Sequence, residues 1–198
     1  MRDPSRTPRV PQLEPAQPPA APAPARPRGL RLKHFLDRSG AAVALVLTLP
    51  LLILAAVAAK LSSSESVLVR DRRIARDGRS FQMLSFAGPE FLRRWSIDQL
   101  PQLVNVLKGQ MSFVGPRPER PEFVELFGGN LRRHDQPRRI RPGITGWSQL
   151  HELSGAAPLA ERVRWDDWYL ENWSLWLDLK IAWMTVRDVY RGDAVTDD

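Results

Sequence analysis

Residues 40–59 decide the fold, and they read GAAVALVLTLPLLILAAVAA. These twenty residues carry no charge, and only Thr48 and Pro50 interrupt their apolar character. As one helix they would extend roughly 30 Å, the thickness of the hydrocarbon core of a bilayer. A small soluble domain rarely needs so long an unbroken apolar run for its core. The stretch therefore predicts a membrane segment.

Basic residues flank this segment on both sides. They are Arg26, Arg28, Arg31, Lys33 and Arg38 before it, and Lys60, Arg70, Arg72 and Arg73 after it. Lysine and arginine collect on the cytoplasmic side of membranes, so a single span would leave one basic flank outside, whereas a hairpin keeps both inside. Pro50 favours a hairpin because it lacks a backbone N–H and clashes with the preceding turn, and Thr48 can bond a freed carbonyl. We predict a re-entrant helix–break–helix, with a single span as the alternative.

The chain divides by composition into four parts. Residues 1–29 form a tail rich in Pro, Ala and Arg, with nine of the 18 prolines. Such a segment cannot bury enough apolar surface to offset the entropy lost on ordering, so we predict disorder, as a spacer or as a docking arm. Residues 30–61 hold the basic flank and the membrane helix, residues 62–192 a cytosolic domain, and residues 193–198 a short C-terminal tail.

The composition restricts the chemistry of the chain. It has 29 basic and 22 acidic residues, and the formal charge of +7 favours anionic partners such as phosphates, nucleic acid or anionic lipid. The absence of Cys excludes disulfides, thiolate zinc sites and a Cys nucleophile. Three His disfavour a His-rich metal centre. The sequence contains no aromatic–basic stacking array and no helix-turn-helix pattern, so we expect no nucleic-acid partner.

The cytosolic part predicts a small, helix-rich α+β domain. Asp77-Gly78 is a hairpin-type turn between two apolar stretches, which predicts a β-hairpin over residues 66–84. A short helix is predicted over residues 121–127. Five of the seven Trp fall in a helical segment over residues 161–190. Because Trp prefers the boundary between membrane and water, this segment is either an interfacial helix or a Trp-rich core helix.

A helix over residues 96–107 carries the first candidate for chemistry. Its apolar stripe recurs with helical spacing, Ser96 is placed as N-cap, and Gln99 takes the capping-box position. Asp98 would then be the second helical residue, where backbone N–H groups and the helix dipole favour negative charge. The predicted position keeps the Asp98 carboxylate ionised beside a natural phosphate site.

Arginines surround Asp98 in the sequence. Arg93 and Arg94 precede it, and Arg117 lies in a stiff loop between Pro116 and Pro118. An ionised carboxylate among arginines can act as a nucleophile on a phosphoryl centre, or it can hold Mg²⁺, which would offset its repulsion from a phosphate. From spacing alone, the simpler interpretation is a surface residue that complements the helix dipole.

Several longer motifs resemble one family. They are Ser96-Ile97-Asp98-Gln99-Leu100-Pro101-Gln102-Leu103-Val104-Asn105-Val106-Leu107, Met111-Ser112-Phe113-Val114-Gly115-Pro116-Arg117-Pro118, Arg141-Pro142-Gly143-Ile144-Thr145-Gly146-Trp147, the opening Lys33-His34-Phe35-Leu36-Asp37, and the late pattern Tyr169, Asn172, Ser174 and Asp178. Together they resemble the bacterial sugar transferases, the monotopic phosphoglycosyl transferases that prime surface-glycan synthesis. The resemblance covers roughly residues 32–192.

The resemblance implies a re-entrant membrane helix with a catalytic domain on the cytoplasmic face of the bacterial inner membrane. It implies transfer of a sugar-1-phosphate from a nucleoside-diphosphate sugar to polyprenyl phosphate, with Mg²⁺ as cofactor. In the family an Asp-Glu dyad is catalytic and the Asp forms a covalent phosphosugar intermediate. Carried over, Asp98 is the nucleophile and metal ligand, Arg93 and Arg117 bind phosphates, and Pro116 and Pro118 shape the loop.

The chain departs from the family pattern at three points. The Glu of the dyad is Gln99, which offers a neutral oxygen but no second negative charge. Where the family usually has Lys-Phe-Arg-Ser/Thr-Met, this chain has Ser85-Phe86-Ala87-Gly88-Pro89, and the longer stretch that follows is missing. Either the protein is a compact working enzyme, which we favour, or it is a degenerate paralogue that serves as a membrane scaffold for glycan assembly.

Two further candidates carry less weight. His151-Glu152 follows the glycine loop and either lines the sugar site or forms a structural pair. A basic run at Arg132, Arg133, His134, Arg138 and Arg139 either meets lipid headgroups and substrate phosphates or is a solvated face.

Overall fold

The computed structural model describes residues 29–62, 66–75, 79–122, 140–151 and 159–191. Its helices are α1 (Leu30–Ser62), α2 (Glu90–Arg94), α3 (Gln102–Leu107), α4 (Trp147–His151), α5 (Leu159–Glu171) and α6 (Leu175–Arg191), with a 3₁₀ turn at Ile97–Gln99. Its strands are β1 (Leu68–Ile74), β2 (Ser80–Phe86), β3 (Ser112–Val114) and β4 (Gly143–Thr145). The helix-rich α+β class predicted from the sequence is confirmed.

Helix α1 contains the whole apolar segment. Among the described helices it is the one that is long and apolar enough, by length and composition, to cross a membrane. The helix continues through Pro50, so the predicted break is not present as an interruption of helical structure. Thr48 Oγ1 donates to Ala44 O at 2.7 Å, a back-bond that bends helices, rather than to the Val46 carbonyl that Pro50 frees. The re-entrant arrangement stays a prediction.

Strands β1 and β2 form the predicted hairpin. They pair antiparallel from Leu68 opposite Phe86 to Ile74 opposite Ser80. Phe81 and Met83 face the core from alternate positions of β2, as a half-buried strand requires. The predicted Asp77-Gly78 turn lies outside the described residues. So do residues 123–127 of the short helix that is predicted over residues 121–127.

A second, parallel pair was not foreseen from the sequence. Ser112 pairs with Gly143 and Val114 with Thr145, although some thirty residues separate the two strands in the chain. Ser112 N donates to Pro142 O at 2.8 Å and Gly115 N to Thr145 O at 2.9 Å. The pairing brings two of the motif loops together, which positions the Arg117 loop.

Two apolar clusters make up the core. The first contains Ala41, Ala75, Phe81, Met83, Val106 and Met111. The second contains Val114, Ile140, Leu150, Tyr169, Leu177 and Ile181. Phe113 packs against both clusters. Because Ala41 of α1 belongs to the first cluster, the foot of the apolar helix is part of the domain core.

The helix predicted over residues 96–107 is divided, and its predicted N-cap is wrong. Ser96 has φ 52°, ψ 23° and makes no capping hydrogen bond. Leu100 N bonds Ile97 O at 3.2 Å, which closes a 3₁₀ turn before α3 begins at Gln102. The physical reason is Pro101, whose missing N–H cannot donate to Ile97 O in an α-helical pattern. Asp98 therefore does not lie at the N-terminus of a long helix.

The Trp-rich segment forms two helices rather than one. Ser174 Oγ accepts a hydrogen bond from Leu177 N at 3.1 Å and caps α6. Trp176 and Trp183 are 74% and 70% exposed, in line with Leu179, Val186 and Tyr190. This spacing places an exposed apolar stripe on one face of α6, which favours the interfacial interpretation of this helix.

Candidate functional site

A buried polar network joins α1 to the domain. Lys33 Nζ lies 2.7 Å from Asp178 Oδ2 and 3.9 Å from Asp37 Oδ2. Ser112 Oγ donates to Asp37 Oδ2 at 2.6 Å, and Phe113 N donates to Asp37 Oδ1 at 3.3 Å. One turn of α1 is thereby tied to both α6 and β3. These contacts give Lys33 and Asp37 of the opening motif and Asp178 of the late pattern a shared structural role.

Tyr169 extends this network from α5. Its hydroxyl donates to Asp178 Oδ1 at 2.7 Å and lies 3.3 Å from Val114 O, and Trp173 Nε1 donates to Asp178 Oδ2 at 3.2 Å. Burial, and then the Asp178 charge, raises the pKa of Tyr169 far above its usual value. The hydroxyl keeps its proton and acts as a donor that orients Asp178. The network is therefore architectural.

Asp98 lies in the 3₁₀ turn between α2 and α3. It is partly buried, and its Oδ1 atom has no contact with solvent. The turn packs against α1, β2 and α2. The burial of Asp98 therefore comes from tertiary packing, whereas the sequence argument had placed this carboxylate at the end of a helix dipole.

A small pocket, partly open to solvent, contains Gln99, the residue that follows Asp98 in the chain. It is lined by Arg73, Met83, Gln99, Gln102, Arg117, Pro118, Gly143, Ile144 and Gln149. The structure thus brings together three predicted residues: Gln99, Arg117 and Pro118. Pro116 is buried beside them. Arg93 is exposed on α2, and neither it nor Asp98 lines this pocket.

Arg73 is a charged pocket residue for which the sequence predicts only a place in the basic flank of the membrane segment. It is 6% exposed. Its Nη2 lies 2.8 Å from Asp71 Oδ2, and its Nη1 donates to Pro118 O at 3.3 Å. The hairpin register could have indicated that Arg73 faces inward, because Arg73 pairs with Phe81, which faces the core. Arg73 ties the hairpin to the Arg117 loop.

Two glycines allow the motif loops to cross. A Cβ at Gly115 would collide with Arg141 O, and a Cβ at Gly143 would collide with Gly115 N and Thr145 O. Gly143 N also donates to Pro116 O at 3.0 Å. Close backbone approach is a role that only Gly can take. The crossing holds the Arg117 loop rigidly at the pocket.

Asn105 fixes the opposite wall. Its side chain is 1% exposed, accepts a hydrogen bond from Leu84 N at 3.1 Å and donates to Gln82 O at 2.6 Å. Helix α3 is thereby bonded to the backbone of β2. The Asn of the motif is thus a structural residue that sets how the 3₁₀ turn faces the hairpin.

Few side chains in the described part of the chain could ligate a metal ion. Among the described residues, no three His, Cys, Asp or Glu side chains lie together. Mg²⁺ commonly binds through one or two carboxylates and completes its shell with water and substrate phosphates. One carboxylate at Asp98 and the Gln99 amide fit that mode, in which the substrate supplies most of the oxygens.

The lesser candidates do not join the pocket. His151 stacks on Trp165 with ring centroids 4.1 Å apart, and its Nδ1 lies 2.8 Å from Trp147 O. Its role among the described residues is therefore packing. Glu152 and the basic run from Arg132 to Arg139 lie outside the described residues.

The fold and site define a class: an apolar helix anchored to a small α+β domain, with a pocket lined by Arg73, Arg117 and Gln99, the residue that follows Asp98. The chain belongs to the bacterial sugar transferase family, whose model matches residues 28–89 and 87–192. The two matched segments meet where the sequence lacks the family's longer linking stretch.

Characterised relatives share about a third of their residues with this chain. A UDP-glucose:undecaprenyl-phosphate glucose-1-phosphate transferase of Caulobacter vibrioides is 36% identical over 81% of this chain and 70% of its own length. The exopolysaccharide production protein ExoY of Rhizobium meliloti is 34% identical over 83% and 88%. A UDP-glucose:undecaprenyl-phosphate glucose-1-phosphate transferase of Xanthomonas campestris is 34% identical over 77% and 37%. The chain thus spans well under half the length of some relatives.

Proposed function

We propose that this protein transfers a sugar-1-phosphate from a nucleoside-diphosphate sugar to polyprenyl phosphate and so initiates a surface glycan or exopolysaccharide. Family membership and the names of the relatives support the class of reaction. The observation that carries the assignment is the pocket in which Gln99 meets Arg117, since Asp98 directly precedes Gln99 in the same 3₁₀ turn. The Arg117 guanidinium suits a phosphate because it is a planar fork of N–H donors, whereas Arg73, bonded to Asp71 and to the Pro118 carbonyl, holds the Arg117 loop in place.

The proposed chemistry is a double displacement at phosphorus. The Asp98 carboxylate attacks the phosphate next to the sugar, an Asp O–P bond forms, and the P–O bond to the nucleotide breaks, releasing a nucleoside monophosphate. An oxygen of polyprenyl phosphate then attacks the same phosphorus and frees the carboxylate. Arg117 and Arg93 bind phosphate oxygens and offset their charge, while Pro116 and Pro118 keep the Arg117 loop stiff.

Mg²⁺ is the proposed cofactor, held by Asp98 and by substrate phosphates. When bound, the ion supplies positive charge that reduces the repulsion between a carboxylate and a diphosphate. Gln99 contributes a neutral oxygen in place of the family's carboxylate. Activity should therefore depend on the ion and need more of it than a Glu-containing site would.

The topology proposed for α1 is a re-entrant hairpin with both ends in the cytoplasm. Ala41 is buried in the domain core, and Ala59 is buried near Gly88 and Leu92, whereas Leu47 between them is 75% exposed. A straight helix across a bilayer would separate Ala41 from Ala59 by about 27 Å. One cytosolic domain cannot touch both ends of such a span without entering the membrane.

Cysteine labelling tests this topology in a chain that has no native Cys. We expect Ser39→Cys and Ser62→Cys, at exposed positions on either side of the apolar segment, to resist a membrane-impermeant maleimide in intact cells. Both should react after permeabilisation, as should Ser80→Cys in the exposed part of β2. Labelling of one α1 site in intact cells would contradict the hairpin and establish a single span.

The decisive assay measures nucleoside monophosphate released by the purified protein with polyprenyl phosphate, Mg²⁺ and a panel of nucleoside-diphosphate sugars. We expect release with at least one donor. Gln99→Glu should lower the Mg²⁺ concentration for half-maximal activity by about tenfold, because ligand charge sets the affinity for hard cations. Gln149→Glu places the same charge elsewhere in the pocket and should give no gain.

A scaffold role is the second candidate. The described lining of the pocket holds the amides Gln99, Gln102 and Gln149 but no carboxylate, which favours a degenerate site. Under this alternative, no donor releases a nucleotide even from Gln99→Glu, and no phosphosugar adduct forms. Association with other glycan enzymes would then be independent of substrate.

A further inference from the structure

We propose that His34, Arg38 and Arg141, named here the basal donor cluster, bind a phosphate group carried by a membrane lipid. The proposal deepens the proposed function, because it locates where the phosphate of the lipid acceptor enters. The cluster is built from α1 and from the residue that precedes Pro142 and β4. It contains none of the side chains that line the Gln99–Arg117 pocket.

Two polar atoms of the cluster are buried without a partner. His34 Nε2 and Arg141 Nη1 have no contact with solvent and no hydrogen bond in the part of the chain that the structure describes. A buried donor that lacks an acceptor destabilises a fold, and for a charged group the penalty is larger. An arrangement of this kind is retained where a ligand supplies the acceptor.

The charges of the cluster call for an anion. Burial, and then the nearby charge of Arg38, lowers the pKa of Arg141, and its guanidinium also interacts with His34. Asp37 is the nearby carboxylate, but its oxygens accept from Ser112 Oγ and Phe113 N. It also faces Lys33. Asp37 also attracts Arg141, so this one carboxylate stands against Lys33 and Arg141, with Arg38 as a further positive charge near Arg141, and positive charge is in excess.

The cluster lies at the level of a membrane surface. His34 and Arg38 are one turn apart on α1, immediately before the apolar segment begins at Gly40. Phe35 and Leu36 on the same turn are 66% and 50% exposed. The Arg38 guanidinium covers Gly109, where a Cβ would collide with it. Exposed apolar side chains beside Arg38 and His34 match a ligand with a phosphate head and a hydrocarbon tail.

A phosphate is the anion that this geometry suits. Arg presents two parallel N–H donors to phosphate oxygens, and a neutral or protonated imidazole adds a third donor. A carboxylate would satisfy one Arg, whereas a phosphate has oxygens enough for all three side chains. The acceptor lipid and an anionic phospholipid headgroup share this chemistry, so the test must separate them.

The test measures binding to the full-length protein in phosphatidylcholine nanodiscs. One arm titrates farnesyl phosphate, with farnesol as the uncharged control. The other arm compares the affinity for nanodiscs that contain polyprenyl phosphate with the affinity for nanodiscs that contain phosphatidylglycerol. Arg141→Gln and Arg38→Gln should each weaken farnesyl phosphate binding about tenfold or more, the usual weight of a charge-assisted hydrogen bond. Arg31→Gln removes an equal charge from an exposed position of the same helix and should change binding less than twofold.

Each outcome decides one question. Loss of affinity for polyprenyl phosphate, but not for phosphatidylglycerol, supports the cluster as the acceptor site. The opposite pattern supports a headgroup site. Unchanged farnesyl phosphate binding in both Arg variants would overturn the proposal. Arg38→Gln guards against misfolding as an explanation, because Arg38 is exposed and its substitution leaves no cavity. The binding assay needs no turnover, so it tests the cluster separately from the enzyme activity. A protein that binds farnesyl phosphate through Arg141 but releases no nucleotide would refute the proposed function and leave the binding site supported.

Discussion

Asp98→Asn is expected to reduce nucleoside monophosphate release by about 10³-fold or more, because a variant without the nucleophile has no route to the covalent intermediate. The substitution changes one oxygen to an amide at a partly buried position of a short turn, so the fold should persist. Acid-quenched wild-type protein should carry a mass increment equal to one phosphosugar, located to the peptide that contains Asp98 and removed by hydroxylamine.

A matched control is available in the same region. Glu90→Gln removes one acid from the exposed start of α2 and should leave release within about twofold of wild type, the usual range for a surface charge. Turnover of Asp98→Asn within tenfold of wild type, or an adduct on another residue, would contradict the mechanism. A wild-type protein without adduct or release would shift the weight to the scaffold role.

Lys33→Met is expected to give the largest loss of stability. The Lys33 and Asp178 side chains are 3% and 12% exposed and lie 2.7 Å apart, so the substitution leaves the Asp37 and Asp178 carboxylates buried without their cation. Removing one partner of a buried pair costs about 3–5 kcal/mol. Urea or thermal unfolding in detergent should show this loss, with α1 released from β3 and α6.

Two comparisons separate the pair from general effects. Lys60→Met changes an exposed lysine at the other end of α1 and should alter the free energy of unfolding by less than about 0.5 kcal/mol. Lys33→Met combined with Asp178→Asn should be less destabilising than the sum of the two single changes, because residues in one network couple. Strict additivity would show that the ion pair does not hold α1 to the domain.

The sequence alone reached the class of the fold, the hairpin and the family. Each of these rests on local signals: an uncharged run of helix length, two apolar stretches around a turn, and long ordered motifs. The Pro116-Arg117-Pro118 loop was also predicted as a site element, and Gln99, Arg117 and Pro118 do meet in one pocket. Local signals suffice where a residue's conformation is set by its neighbours in the chain.

The predicted N-cap at Ser96 is wrong for a reason that the sequence contained. Ser96 and Gln99 match a capping box, but Pro101 follows too closely for an α-helical bond to form. The helix dipole was therefore the wrong source of the environment of Asp98. Packing against α1 and β2 supplies that environment, and no pattern of neighbours reveals it.

What the sequence determined about this protein is its membrane-associated sugar transferase family and the identity of its candidate nucleophile. The tertiary structure decided which distant groups meet: Lys33 with Asp178, Arg73 with the Pro118 carbonyl, and Asp37 with Ser112. The physical reason is that a hydrophobic pattern records whether a residue faces the core, but not which other residue it meets there. Partners far apart in the chain are selected by close packing of the whole domain, as the Gly115–Gly143 crossing illustrates.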